Sequence, residues 1–238
     1  MIEIAVNNLA AATGARTVTG EADRVCRGCV IDSRQVEEGT IFVAFPGENA
    51  VQSGAGAVVM TREPEAELVS LAQDKGCAIL LTDDPEDFLL RLAHTYRLEL
   101  GCLVVGITGS IGKTTTKDVL AAVLAKRYRV WATKGNFNNL IGMPLTVLSA
   151  PADTEVLVLE MGMNHFHEIE RLSQSANPNL AIVSKAFWAA ARTSPALRPR
   201  LSRVCAPPAT SCRCWFWAVR TTLRRSFAIR SPSLLVSM

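Results

Sequence analysis

An apolar run that leads straight into a glycine-rich turn constrains this chain more than any other sequence feature. Residues 102–108 are continuously apolar, as in a strand that is buried on both faces of a parallel sheet. The turn Gly106-Ile-Thr-Gly-Ser-Ile-Gly-Lys-Thr-Thr-Thr116 follows, and a helix is predicted over 113–128. Its predicted buried stripe consists of Val119, Leu120, Val123 and Leu124. Strand, loop and helix in this order predict an α/β domain with a parallel sheet.

The turn has the composition of a phosphate-binding loop. Gly109 and Gly112 allow close backbone approach and positive φ, so that N–H groups and the positive helix end converge on an anion. Lys113 would reach the β- and γ-phosphates, and the Thr114 hydroxyl would coordinate Mg²⁺. The common GxxxxGK[ST] spacing would place glycine at 107, where this chain has Ile107. The alternative is a glycine turn that only caps a helix.

A carboxylate for the cation is predicted on the next strand. Glu160 ends a strand predicted over 155–161, and a helix at 168–173 leads to a further strand at 180–184. Ligands of open α/β sheets bind at the carboxyl edge of the strands, where Glu160 would lie. The alternative is a solvated glutamate at a strand end.

The first hundred residues are expected to form a separate small α/β domain. Its apolar runs and helical spacings follow one another between turn signals. Strands are predicted at 29–32, 40–45, 57–60 and 78–81, helices at 64–75 and 85–98, and a loop at 46–49. The domain division is therefore 1–100, 101–184 and a remaining tail, 185–238.

The tail differs in composition from everything before it. Residues 1–184 carry 15 basic and 22 acidic residues, whereas residues 185–238 carry 10 basic residues and no acidic ones. The tail also lacks glycine, although it holds 3 of the 4 tryptophans. A basic tail could contact nucleic acid or a membrane surface. It shows no periodicity, and we expect it to be irregular and disordered.

For several residues that could belong to a metal, redox or membrane site, the sequence favours a structural or solvent-exposed position instead. No apolar run reaches 18 residues and no secretory signal is visible, which favours a cytoplasmic protein without a membrane span. Cys26 and Cys29 form a lone CxxC and are interpreted as ordinary reduced cysteines rather than a zinc or redox site. His165 and His167 are assigned to a solvated loop rather than a metal site, and His94 to a structural position on a helix.

Three segments together resemble the Mur ligases, the ATP-dependent amide-forming enzymes of peptidoglycan synthesis. They are Thr108-Gly-Ser-Ile-Gly-Lys-Thr-Thr-Thr116, Thr133-Lys-Gly-Asn-Phe-Asn-Asn-Leu-Ile-Gly-Met-Pro144, and Glu160-Met-Gly-Met-Asn164 with Glu168-Ile169. Asp32-Ser-Arg34, with Gly39-Thr-Ile-Phe-Val-Ala44 and Gly47-Glu48, resembles the family's N-terminal domain, which holds the UDP end of the substrate. The middle segment is the most specific of these, and it implies the activity that adds D-alanyl-D-alanine to UDP-N-acetylmuramoyl-tripeptide.

The resemblance implies a role for each matching residue. ATP would be bound by Gly109, Ser110, Ile111, Gly112, Lys113, Thr114 and Thr115. Magnesium would be held by Thr114 and Glu160, with Lys113 and Glu160 as the catalytic pair. The muramoyl peptide would meet the nucleotide at Asn136, Asn138 and Asn139, and Ser33 and Arg34 would contact the UDP moiety. The alternatives without a role in binding are a polar turn for the asparagines and a surface ion pair for Arg34.

The implied chemistry has two steps. The tripeptide carboxylate takes a phosphoryl group from ATP and becomes an acyl phosphate, and the amine of D-alanyl-D-alanine then displaces phosphate. Positioning and electrostatic stabilisation by lysine and Mg²⁺ would supply most of the catalysis. We expect the chain to be a monomer.

The sequence departs from the family at three places. Ile111 stands where a small polar residue is usual, a longer stretch with an Asp-Gly-His element is missing after Asn49, and the family pattern stops at Ser184. The family's Asn-x-Gly-x-x-His element and its amine-substrate domain have no counterpart in the tail. Reading degenerate codons for residues 186–196 one base back permits a Gly-Ser…Asn-Ile-Ala stretch of the expected kind. A nucleic-acid-binding tail would explain only the charge, so we expect no nucleic-acid partner. We interpret the tail as a frameshifted sequence and expect this chain to have little or no ligase activity.

Two other functions stay open at the level of sequence. One is a related ligase that adds a different amino acid, or a folylpolyglutamate-type ligase. The other is a non-catalytic nucleotide-binding module whose basic tail contacts nucleic acid or a membrane surface.

Overall fold

The computed structural model describes residues 1–44, 51, 53–184 and 215–217, and these residues form an α/β structure with two five-stranded sheets. The predicted fold class is therefore confirmed. The predicted loop at 46–49, with Gly47 and Glu48, and the rest of the tail lie outside the described residues.

The N-terminal part of the chain builds the first sheet and a separate strand pair. Its strands are β1 (Glu3–Ala5), β2 (Arg16–Thr19), β3 (Val25–Arg27), β4 (Cys29–Val30), β5 (Ile41–Val43), β6 (Ala57–Met60) and β7 (Ala78–Leu81). The sheet has the order β2-β7-β6-β5-β4, in which β4 to β7 run parallel and β2 pairs antiparallel with β7 at the edge. Strands β1 and β3 form the separate antiparallel pair.

The second sheet consists of β8 (Leu103–Thr108), β9 (Val130–Ala132), β10 (Val156–Glu160), β11 (Leu180–Val183) and β12 (Trp215–Trp217). Its order is β12-β11-β8-β10-β9, and all of its strands are parallel except β12. Because β8, β9, β10 and β11 are parallel, the loops that follow them lie at one edge of the sheet. This edge carries every residue that the sequence assigns to ATP and magnesium.

In the described part of the chain, six helices cover the sheets, together with a short 3₁₀ helix at Ser33–Gln35. They are α1 (Val6–Thr13), α2 (Ala66–Asp74), α3 (Pro85–Leu100), α4 (Lys113–Leu124), α5 (Gly142–Leu148) and α6 (Glu168–Ala176). Among the described residues, no helix is long and apolar enough to cross a membrane.

Side chains of β8 alternate between two buried layers, as expected for a central strand of a parallel sheet. Val104 joins the large cluster formed with α3, α5 and α6, whereas Val105 and Ile107 pack on the other face with residues of α4. Burial on both faces fixes the register of β8, and it therefore fixes where the following loop begins.

Helix α3 joins the two sheets. Its Tyr96 hydroxyl donates to the Ala150 carbonyl at 2.8 Å, and the buried Arg97 guanidinium donates to the carbonyls of Ala176 and Asn177 at 3.0 and 3.1 Å. Those two carbonyls close the C-terminus of α6, where a cation also suits the helix dipole. One hydrophobic cluster accordingly includes residues of both sheets, from Ile2 to Ala176.

The predicted stripe of α4 is partly wrong. Only Leu120 and Leu124 pack against the sheet, while Val119 and Val123 are 60% and 64% exposed. The row of side chains that faces the sheet also includes Lys117, so the helix is rotated relative to the predicted stripe. The helix also ends at Leu124 rather than at residue 128.

Three residues of the tail take part in the second sheet. Residues 215–217 form strand β12, which pairs antiparallel with β11, with Phe216 opposite Ile182. An unpaired edge of β11 offers backbone donors and acceptors to an extended segment of this kind.

Candidate functional site

The glycine loop joins β8 to α4 and lies against the end of β11. Gly109 has φ 141° and Gly112 has φ 87°, conformations that L side chains rarely adopt. A Cβ atom on Gly109 would also collide with the Ser184 hydroxyl. Glycine is therefore required at this position by both conformation and space.

The loop leads into a helix end that is open to an anion. Helix α4 begins at Lys113 and has no acidic residue in its first turn, so its positive end is not neutralised from within. Thr114 and Thr115 are exposed there, and Ile111 is 54% exposed beside them. The Lys113 ammonium donates to the Gly109 carbonyl at 2.8 Å, which closes the lysine over its own loop.

Glu160 lies at the same edge, beside the start of the loop. Strand β10 pairs with β8 and places Glu160 opposite Ile107. Glu160 is only 2% exposed, and its Oε1 atom accepts a hydrogen bond from Asn138 Nδ2 at 2.9 Å. Its Oε2 atom is buried and has no hydrogen-bond partner among the described residues. A buried carboxylate oxygen without a donor is costly unless a cation satisfies it.

The three asparagines assigned to the substrate site differ in their contacts. Asn138 contacts the carboxylate of Glu160, and its carbonyl also accepts from the Gly162 N–H at 2.8 Å. Asn139 instead turns its Oδ1 atom to the N–H groups of Gly142 and Ile141, at 2.7 and 3.3 Å, and so satisfies free donors at the start of α5. Asn136 is exposed. Only Asn138 is thus brought to the acid at the sheet edge.

Ser33 and Arg34 follow β4 of the first sheet and belong to a different edge. The Asp32 carboxylate accepts hydrogen bonds from the Arg34 backbone N–H at 3.0 Å and from its guanidinium at 2.6 Å. These hydrogen bonds lower the pKa of Asp32 to about 2 and raise the pKa of Arg34. The Arg34 side chain is 87% exposed, and within the described part of the chain no hydrogen bond or ion pair joins it to the glycine loop.

The two loop histidines are exposed, in agreement with the solvated-loop interpretation. Their Nδ1 atoms lie 3.2 Å from the carboxylates of Glu168 and Glu170. Burial opposes ionisation of Glu168, but hydrogen bonds from the N–H groups of Asn164 and His165 hold its pKa below the ordinary value. Among the residues that the structure covers, no group of three or more His, Cys, Asp or Glu could hold a metal.

The remaining predictions concern His94 and the lone CxxC. His94 Nδ1 lies 3.0 Å from the Ser175 carbonyl, so the predicted structural role is confirmed. Cys26 and Cys29 are free thiols, and burial raises the pKa of Cys26 to about 11, which makes it a poor nucleophile.

Two residues at the sheet edge were missed by the sequence analysis. Lys117 is 4% exposed and donates to the Thr133 carbonyl at 2.8 Å, and the Thr133 hydroxyl accepts from the Glu160 N–H at 3.0 Å. The only available signal was the position of Lys117 one helical turn after Lys113, on the same face of α4.

A buried parallel strand, a glycine loop and an open helix end, flanked by an acid on the adjacent strand, define the P-loop class of α/β domains. Residues 107–186 match the family model of the Mur ligase middle domain.

Curated relatives extend the similarity over both sheets. The chain is 40% identical over 198 residues to the UDP-N-acetylmuramoyl-tripeptide–D-alanyl-D-alanine ligase of Bacillus subtilis (strain 168), which covers 77% of this chain and 41% of the relative. It is 33% identical over 167 residues to the ligase of the same name from Rickettsia prowazekii (strain Madrid E), with 67% and 36% covered.

Solved structures agree with the sequence relatives. MurF from Acinetobacter baumannii is similar with a TM-score of 0.67 and 27% identity, over 77% of this chain and 40% of that chain. MurF ligase from Thermotoga maritima in complex with ADP is similar with a TM-score of 0.58 and 33% identity, over 67% and 37%. The chain belongs to the Mur ligase family, and it spans about two fifths of the length of the relatives that it matches.

Proposed function

We propose that residues 1–184 form the nucleotide-binding and UDP-substrate-binding portion of an ATP-dependent ligase of the cytoplasm. The ligase would join D-alanyl-D-alanine to UDP-N-acetylmuramoyl-tripeptide in peptidoglycan synthesis. The observation that carries the proposal is the position of Glu160 beside the glycine loop and the open end of α4. The choice of substrate is supported by 40% identity to the Bacillus subtilis ligase.

The loop and helix would bind the phosphates of ATP. Backbone N–H groups around Gly109 and Gly112 would donate to the phosphate oxygens, and the dipole of α4 would favour their charge. Lys113 would exchange its hydrogen bond with the Gly109 carbonyl for a charge-assisted bond to the β- and γ-phosphates. This exchange requires rotation of one flexible side chain and no movement of the sheet.

The carboxylate environment fits a divalent cation. The Oε2 atom of Glu160 is buried and unpartnered among the described residues, while Oε1 is held by Asn138, so the carboxylate is oriented with one oxygen available. Thr114 is exposed at the first turn of α4 and would supply a hydroxyl oxygen. Magnesium at such oxygen ligands would neutralise charge on the phosphates.

In the proposed reaction the tripeptide carboxylate attacks the γ-phosphorus of ATP, ADP leaves, and an acyl phosphate forms. The amine of D-alanyl-D-alanine then attacks the acyl carbon, loses a proton and releases phosphate. Lys113 would stabilise the charge that is transferred, and Asn136 and Asn138 would line the meeting point of nucleotide and peptide. Ser33 and Arg34 would hold the UDP end on the first sheet.

We propose that the composition of the tail reflects a sequence that leaves this chain a poor catalyst. The tail has neither the acids nor the glycines of the rest of the chain. We propose that residues 185–238 are read out of frame, which the coding DNA after codon 184 would test directly. Phosphate release with all three substrates present is expected to be close to background.

Substrate profiling tests the proposed specificity without requiring turnover. The full chain is titrated with UDP-N-acetylmuramoyl-tripeptide, with the corresponding monopeptide and with a folate, and binding is followed by calorimetry. We expect the tripeptide to bind best and Arg34→Ala to weaken it, with Lys75→Ala, an exposed site on the same sheet domain, as the matched control. Preference for the monopeptide or the folate would overturn the proposed substrate.

A further inference from the structure

The ammonium of Lys117 is buried although nothing in the proposed reaction uses it. The residue is 4% exposed and projects from α4, one turn after Lys113. Burial of a lysine is costly, and it places a second cation near that of Lys113 on one helix face. The position is therefore unusual for a side chain that only fills space.

Two oxygens satisfy this ammonium. Lys117 Nζ donates to the Thr133 carbonyl at 2.8 Å and lies 3.0 Å from the Asp118 carboxylate, which is mostly exposed. The Thr133 carbonyl is the inner partner, directly after β9. Lys117 thus fastens the helix that follows the glycine loop to the end of a neighbouring strand.

Thr133 connects Lys117 to Glu160 through hydrogen bonds. Its own N–H donates to the Val158 carbonyl at 3.0 Å, and its hydroxyl accepts from the Glu160 N–H at 3.0 Å. Thr133 is 2% exposed, so these hydrogen bonds are shielded from water. The backbone of Glu160 is therefore held by Thr133, and its carboxylate is held separately by Asn138.

We propose that Lys117 is a positioning residue that sets, through Thr133, the position of the Glu160 carboxylate relative to the phosphate loop. This inference rests on the proposed function, because it concerns the cation that Glu160 and the nucleotide would share. Lys117 touches neither nucleotide nor cation in this account. Its contribution is to keep the two halves of the site, loop and acid, at a fixed separation.

The test compares magnesium assistance, defined as the ratio of the Kd for ADP without Mg²⁺ to the Kd with Mg²⁺. Lys117→Met is expected to lower this ratio on the order of tenfold, as loss of residues that orient metal ligands does. Its Kd for ADP without Mg²⁺ should stay within about twofold of wild type, because the loop glycines and Lys113 remain. The controls are Lys126→Met, which removes an exposed lysine, and Asp118→Asn, which keeps the bond to Thr133.

A second pair of variants isolates the Thr133 step and serves if Lys117→Met does not fold. Thr133→Val keeps the carbonyl that Lys117 uses and removes only the hydroxyl that accepts from Glu160. Thr133→Ser restores that hydroxyl. We expect the valine variant to lose magnesium assistance and the serine variant to regain it, with the thermal midpoint of each variant measured alongside.

The outcomes separate the inference from the proposed function. If wild type shows no magnesium-assisted binding of ADP, the proposed function fails and the inference falls with it. If wild type shows it and Thr133→Val retains the full ratio, only the inference is overturned. Equal weakening of ADP binding with and without Mg²⁺ would show that Lys117 and Thr133 merely stabilise the fold, and would also overturn it.

Discussion

Asp32 and Glu160 each lie at the carboxyl end of a parallel strand, and their surroundings are opposite. Asp32 follows β4 of the first sheet, is only partly covered, and is satisfied by the backbone and guanidinium of Arg34. Glu160 ends β10 of the second sheet, is 2% exposed, and has one oxygen without a donor among the described residues.

This difference indicates that Asp32 stabilises local structure, whereas Glu160 has an oxygen that is suited to bind a cation. Asp32 has its hydrogen-bond partners within a three-residue turn and keeps Arg34 in place, so a substrate contact there would be made by Ser33 or Arg34 rather than by Asp32. The carboxylate of Glu160 lacks a partner for Oε2 among the described residues. Burial of this oxygen without a partner lowers the stability of the fold, and a bound cation would recover that stability.

The largest effect is expected at Glu160. Glu160→Gln keeps the acceptor for Asn138 but removes the charge, and it should reduce magnesium assistance of ADP binding by at least about tenfold. The thermal midpoint should not fall, because an uncompensated buried charge is removed. Asp32→Asn serves as the comparison and should leave magnesium assistance unchanged. Equal magnesium assistance in Glu160→Gln and wild type would remove the contrast between the two acids.

Smaller effects are expected at Asn138 and Asn139, on magnesium assistance for the first residue and on folding stability for the second. Asn138→Ala should weaken magnesium assistance severalfold, because Glu160 Oε1 loses its donor. Asn139→Ala should leave ADP binding unchanged and cost about 1 kcal/mol of folding free energy, because the first N–H groups of α5 lose their acceptor. Calorimetry and urea unfolding measure the two quantities separately. The assignment is wrong if the two variants exchange these effects.

The smallest effect is a pH dependence at Asp32. The pKa of this carboxyl is about 2 in the folded protein, below its ordinary value, because it accepts hydrogen bonds from Arg34. Its contribution to stability is therefore present at neutral pH and is lost as pH falls from about 4 to 2. The pair is exposed, so the contribution is small. Thermal midpoints of wild type and Asp32→Asn should differ slightly at pH 6 and converge at pH 2, and a gap that stays constant would contradict this cause.

The central elements of both sheets were predictable because apolar runs are strong local signals. Residues 57–60 and 78–81 form strands with the predicted bounds, and α4 begins at the predicted Lys113. Helix α5 was missed, since Gly142 and Pro144 indicate a loop in the sequence. Both lie in its first turn, where proline is tolerated. The strands and helix within residues 1–28 were also missed, because they are short.

The residues of the site were predictable by type but not by contact. Glu160 could be found from its place at a strand end, whereas its unpartnered oxygen depends on how Asn138 and Thr133 fold around it. The bond from Lys117 to the Thr133 carbonyl joins residues 16 positions apart through a backbone atom, and no sequence pattern reports such a bond. The exposure of Val119 depends likewise on the rotation of α4, which packing sets.

The most direct measurement is a titration of the full chain with ADP, with and without Mg²⁺, for wild type and Lys113→Ala. If the turn around Gly109 and Gly112 binds phosphates, wild type should bind ADP more tightly with Mg²⁺, and Lys113→Ala should weaken that binding by about tenfold or more. Lys126→Ala, on an exposed position beyond α4, should match wild type. Absence of magnesium-assisted binding in wild type, together with no effect of Lys113→Ala, would contradict the account.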